Sequence, residues 1–254
     1  METNEQKLLN FISAFGTMMI KNGAETQRTE QSIMRIAESD GLHRAEVFAV
    51  PTSVMITLHS KNGTTLSEIT RAYCRRINLE KVIACDNLAN RYISGEETLD
   101  RCILELEEID KLTDFKLHVR ILSYGFISFA FTILFRGVVT DSFIAFLAGV
   151  FQGIVMEYLG RYNLSAFLSN AAGSAAAAAV AYIFYHFGIA QSYNSIILGS
   201  LMPLVPGFAI TNAVRDLLYG DYISGSAKVL EVVVTAVGIA AGVLCTLMIL
   251  EYFL

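Results

Sequence analysis

Charge is almost missing from the second part of this chain. Positions 162–214 hold 53 consecutive residues without an Asp, Glu, Lys or Arg, a run long enough for two transmembrane helices. Cysteine is sparse too. Cys74, Cys85, Cys102 and Cys245 form no CxxC pair and have no close histidine, which argues against a disulfide frame or a zinc site and for reduced, structural thiols. The first 30 residues lack the charged, apolar, small-residue order of a cleaved leader, so the N-terminus is expected to stay attached and to face the cytosol. A formal charge of −5 offers no basic surface for nucleic acid. No GxxxxGKS/T loop is present, which speaks against ATP-driven pumping. No nucleophile with a base and no metal cluster is visible either, so neither an enzyme nor a cofactor is expected.

What is present divides in two. Of the 43 charged residues, 32 lie in positions 1–116, so residues 1–116 read as a soluble domain and 117–254 as a membrane domain. In the first, Leu8, Leu9, Ile12, Phe15 and Met19 recur at helical spacing. Asn22-Gly23 breaks that helix, and 25–39 forms a second one that Gly41 ends. Strands follow at 46–50 and 53–60, where Val54, Ile56 and Leu58 alternate with Met55, Thr57 and His59. Asn62-Gly63 is a hairpin signal leading to a return strand at 64–73. Helices at 79–92 and 97–112 complete an α+β domain of order ααβββαα. Pro51 belongs in a turn or at an edge, because it cannot donate to a central ladder. His43 and His59, 16 positions apart with no third ligand, read as solvated or packed histidines. Arg71, Arg75 and Arg76 form a basic cluster, either a solvated face or a place for a cytosolic anion.

Five spans are expected in the membrane domain: 121–135, 142–156, 164–187, an interrupted fourth at 195–218, and 229–253. Residues 136–140 suffice only for a tight turn. Lys111, Lys116, Arg120, Arg161, Arg215 and Lys228 would share one side against Arg136 alone, which favours a cytosolic N-terminus and an external C-terminus in the cell membrane. Gly149-x-x-x-Gly153, Gly238-x-x-x-Gly242 and the alanine-rich run 171–179 let helices pack closely. Gln152, Asn170 and Glu157 are polar groups within or beside spans, where such groups face protein or a water-filled cavity; Glu157 also suits the headgroup level.

The fourth span carries the chemistry. From a start at Ser195, Pro206 lies about 16 Å in, near the middle of a hydrocarbon core of about 30 Å. Pro203 and Pro206-Gly207 interrupt the helix there, either as a plain kink or as a break whose freed carbonyls and new N-terminus hold a cation or a carboxylate. Thr211/Arg215 and Asn212/Asp216 stack four apart on neighbouring faces. An Arg215–Asp216 pair beside a hydroxyl and an amide can bind an α-amino acid or a carboxylate, carry a proton, or lock the helix end. Gly220-Asp221 and Ser224-Gly225 are expected to form the turn before the fifth span.

Val205-Pro206-Gly207, Thr211-Asn212-Ala213-x-Arg215-Asp216, Gly220-Asp221 and Ser224-Gly225 resemble the signature of the threonine/serine exporter family, in its N-terminal half. Gly23-Ala-Glu-Thr-Gln-Arg28-Thr-Glu30 and Pro51-Thr52 extend the resemblance into the soluble domain. It implies export of small carboxylate-bearing metabolites, with threonine and serine as prototypes; a sub-branch exports succinate through two separate subunits. Fused members continue into a second membrane half, which implies a separate membrane partner for a five-span chain. Competing classes are a membrane-embedded enzyme and a cytosolic sensor on a membrane anchor.

Overall fold

The computed structural model describes residues 4–42, 44–60, 63–72, 77–113, 115–162 and 164–253. It contains an α+β layer followed by long apolar helices, and it divides into two compact units. The first comprises Met1–Asp114 with Thr211–Lys228, the second Phe115–Ile210 with Val229–Leu254.

In the first unit, α1 (Asn4–Lys21) and α2 (Thr26–Ser39) precede an antiparallel sheet of order β1-β2-β3 (Arg44–Val50, Ser53–His59, Thr65–Arg71). Two more helices follow, α3 (Leu79–Ile93) and α4 (Leu99–Lys111). Leu8, Ile12, Phe15 and Met19 sit at intervals of four, three and four, so one face of α1 is buried. It meets Val54, Ile56 and Leu58, the inward residues of β2. Pro51 and Thr52 form the tight turn between β1 and β2, where Val50 is paired with Ser53. The β2–β3 hairpin closes with Ser60 N–H on the Thr64 carbonyl at 2.9 Å and Gly63 at φ 80°; Lys61 and Asn62 lie outside the described residues. So do His43, Cys74, Arg75 and Arg76. His59 shares a hydrogen bond with Thr65 at 3.2 Å across the hairpin. Burial pushes the Cys85 thiol up to about 12 and that of Cys102 up to about 11, which keeps both protonated.

In the second unit, α5 (Leu117–Leu134), α6 (Val139–Gly160), α7 (Ala166–His186) and α8 (Tyr193–Leu201) pack together. The α5–α6 connection is a tight turn, as its length requires: Arg136 adopts φ 62° and the Gly137 N–H returns to the Thr132 carbonyl at 2.8 Å. A 3-10 turn, Met202–Leu204, and then α9 (Gly207–Leu218) and α10 (Tyr222–Phe253) complete the chain. Four of the helices are long and apolar enough to cross a membrane, and a fifth span results when the bent pair Tyr193–Leu204 and Gly207–Leu218 is taken together. This is a membrane protein.

The expected turn at 220–225 is shorter than its composition suggests. Ser224 and Gly225 already lie in the first turn of α10, because the Asp221 carboxylate accepts the Ser224 N–H at 3.2 Å and starts the helix. Small residues are placed as close packing demands. A side-chain carbon on Gly149 would run into Tyr124 and Ser128 of α5, and one on Gly242 into Ala171 and Ser174 of α7. Both small-residue faces are therefore filled by the chain's own helices.

Gly242→Leu is expected to cost about 1–3 kcal/mol by overpacking. Gly207→Ala should cost nothing, since its added carbon meets no atom within 4 Å. Thermal unfolding in detergent checks the contrast: equal melting temperatures for the two variants would contradict it.

Candidate functional site

The break in the fourth span comes from one dipeptide. Pro203 tightens the helix without bending it away: α8 stops at Leu201 and Pro203 sits near the start of the 3-10 turn Met202–Leu204, where a missing N–H matters least. Val205 is the residue that leaves helical geometry, at φ −62° and ψ 123°, because the ring of Pro206 excludes the helical region for the residue before it. The two helices are bent by 56° there. Backbone groups are rearranged as a result. Val205 N–H goes to the Met202 carbonyl at 3.2 Å, not to Leu201, and Gly207 N–H goes to Val205 at 2.8 Å. On the far side, Ile210 N–H to Pro206 at 3.0 Å is the first helical bond of α9, so the amides of Phe208 and Ala209 precede any intrahelical acceptor.

Downstream, the charged residues lie within the first unit. Asn212, Ala213 and Asp216 form the buried stripe of α9, while Thr211 and Arg215 are exposed. The expected Arg215–Asp216 pair does not form. Adjacent helical residues diverge by about 100°, and each finds its own partner: Arg215 pairs with Glu25, and the Asp216 carboxylate, 2% exposed, accepts the Lys228 ammonium at 2.7 Å. Each charge is thus held by an ion pair to a residue outside α9. Asp221 accepts the Thr26 hydroxyl at 3.1 Å with one oxygen and caps α10 with the other. Ser224 is fully buried, and its hydroxyl has no partner among the described residues. Nearby on α2, Glu30 accepts the Ala49 N–H at 2.7 Å. Burial raises its carboxyl above the ordinary 4.5; the Ala49 bond opposes this, and Asp221 and Asp216 add to it. Glu25, Thr26, Glu30 and Lys228 were missed as site members by sequence reasoning. The one signal for the first three is that they fall in the family-like stretch 23–30.

The polar residues of the second unit differ from one another. Glu157 is paired with Arg120, both largely buried. Asn170 is half-buried on α7. Gln152 is fully buried, and neither its amide nitrogen nor its oxygen has a partner among the described residues. Asp141, one position before the expected second span, is 1% exposed and accepts the N–H groups of Gln191 and Ser192 at 2.8 and 3.2 Å, which joins the starts of α6 and α8. Among the described residues no three His, Cys, Asp or Glu side chains converge as a metal site.

Lys228→Met strands a buried carboxylate and is expected to cost about 3–5 kcal/mol. Glu25→Gln, at a pair with an exposed arginine, should cost little. Thermal unfolding of both variants and of Asp216→Asn/Lys228→Met tests this; additive losses in the double variant would deny the coupling. Glu30 supplies a pH dependence. Its folded pKa is raised, so its contribution is full below about 4.5 and is lost as pH rises through the folded value. Glu30→Gln keeps an acceptor for Ala49 and removes the ionisation. Its stability relative to wild type is therefore expected to improve as pH rises above 4.5, and a constant difference would contradict the shift.

A family model described as "Putative threonine/serine exporter" matches residues 10–250. The chain is also 23% identical over 252 residues to a protein of Corynebacterium glutamicum named "Threonine/serine exporter", an alignment covering 93% of this chain and 50% of that protein. It thus spans about half the length of this curated relative. No solved structure matches it. With a helix broken by Val205-Pro206, a polar elbow at 211–225 and a family match over nearly its full length, the chain belongs to the threonine/serine exporter family.

Proposed function

We propose that this chain is the membrane subunit of a secondary exporter of small carboxylate-bearing metabolites, with threonine and serine as its substrates. The observation that carries the reading is the break at Val205-Pro206 in a stretch without charge. Carbonyls at the end of one half-helix and amides at the start of the next give a small zwitterion partners of both signs, and a plain anchor needs neither. The path runs past Gln152, Asn170, Pro203, Pro206 and Gly207. Thr211, Asn212, Arg215, Asp216, Asp221 and Ser224 set the conformation of the elbow, and Glu157 with Arg120 holds a helix end. Residues 1–116 face the cytosol and the C-terminus lies outside, from the excess of Lys and Arg on one side.

The chain acts with a separate membrane subunit that corresponds to the other half of its longer relative, since such sites lie between two repeated halves. A second reading, in which the pair exports succinate, follows the two-subunit sub-branch that the motif resemblance implies. Reconstitution separates them. Liposomes holding the chain and its partner are expected to exchange threonine and serine, the chain alone little, and Pro206→Ala, which restores a helical bond, should fold but transport slowly. Full activity of the chain alone would sink the two-subunit reading; wild-type flux from Pro206→Ala would sink the site at the break.

A further inference from the structure

Gln152 belongs to a buried stripe of α6. Asp141, Ala145, Ala148 and Gln152 follow one another at intervals of four, three and four, so they lie on one helical face, and none is more than 1% exposed. The foot of this stripe is fixed. Asp141 accepts Gln191 and Ser192 N–H groups, which places the first turns of α6 and α8 at one end, and the helices run on side by side with Ala145 and Ala148 in one apolar cluster with Ile196 and Ile197. Depth follows from the rise per residue. Gln152 is about 16 Å from Asp141; along α8, Ser200 is about 12 Å from Ser192 and Leu204 about 19 Å. The carboxamide is therefore level with the stretch between Ser200 and the helix break.

That layer is chemically incomplete. Gln152 and Ser200 are both 0% exposed, and Gln152 Oε1, Gln152 Nε2 and Ser200 Oγ lack a hydrogen-bond partner among the described residues. A buried primary amide with neither side used is costly, and native proteins keep such groups where something else completes them. Charge at this depth is also missing: the charged residues of α6 are Asp141 and Glu157, near its two ends, and Glu157 is paired. A dicarboxylate would bring two charges into a layer with no cation for the second. A zwitterion with a side-chain hydroxyl fits, because a hydroxyl both donates and accepts, as a carboxamide does.

We infer that the Gln152 carboxamide, with the Ser200 hydroxyl in the adjoining layer of α8, is the point that recognises the side-chain hydroxyl of a β-hydroxy-α-amino acid. The inference rests on the exporter reading above and deepens it. It is tested with Gln152→Met, which keeps length and removes both polar atoms, in the reconstituted complex. Exchange of threonine is compared with that of 2-aminobutyrate, which has the same carbon skeleton and no hydroxyl. Wild type should prefer threonine, and the variant should lose about tenfold or more of that preference, because a site built to bind a hydroxyl discriminates strongly against its absence. The variant's melting temperature should rise, since an unpaired buried amide is replaced by a thioether. An unchanged preference in an active variant would overturn the inference alone. A lowered melting temperature, or no folded protein from either Gln152→Met or Gln152→Ala, would overturn it by making the amide structural. No flux of either amino acid through wild type would sink the exporter reading, and this inference with it.

Discussion

A carboxylate that is 2% exposed has to be neutralised before anything around it can be stable, and Asp216 sets the terms for the whole elbow between α9 and α10. Its partner Lys228 lies 12 residues on, so the chain must reverse between them. Gly220 at φ 86° makes the reversal possible, and the Asp221 N–H closes it on the Asp216 carbonyl at 2.9 Å. The first turn of α10 then comes so near Leu217 that Gly225 leaves room for no side-chain carbon. Contacts from the start of α2 add to this: Glu25 takes Arg215 and Thr26 takes Asp221. The ion pair, the turn and the caps form one unit, in which loss of either charge leaves the other buried and unpaired.

The broken helix and the elbow divide the polar work of this segment. Val205-Pro206 itself carries no charge, and the polar groups that the break frees are backbone dipoles. Such groups bind weakly and reversibly, which suits a molecule in transit. In the elbow, by contrast, every acidic residue already has a partner, so little is left to hold a passing solute. The proposed site and the ion-paired elbow thus use different chemistry.

Most of the fold could be read in the sequence because it rests on local pattern. The ααβββαα order, the inward face of β2 and the long apolar helices all follow from periodicity and turn residues, and their observed ends differ by a few residues except at α10, which starts seven earlier than expected. Where reading failed, partners were remote. Nothing near Arg215 or Asp216 indicates that one will pair with a residue 190 positions earlier and the other with one beyond the next turn. Proximity in sequence suggested that they pair with each other; helix geometry forbids it. Asp141 was missed likewise, since its role is visible only once the start of α8 lies beside it. Lys228 looked like a topology marker because a lone lysine before an apolar run ordinarily is one.

The hydroxyls of α5 set how readily its neighbours can move. Ser128 donates to the Tyr124 carbonyl and Thr132 to that of Ser128, both at 2.8 Å, so each commits its proton to its own helix. Gly149 of α6 and Gly199 of α8 rest against these residues in seams held by shape and dispersion. On the other side of the bundle, the Ser174 hydroxyl of α7 shares its proton between the Ala171 carbonyl of its own helix and the Ile239 carbonyl of α10, both at 3.0 Å. A shearing displacement along α5 breaks neither of its hydroxyl bonds, whereas one between α7 and α10 gives up the interhelical half of that shared bond and leaves the Ile239 carbonyl with no water in the bilayer to replace it. Friction inside the bundle is therefore uneven, low on the α5 side and high where α7 meets α10.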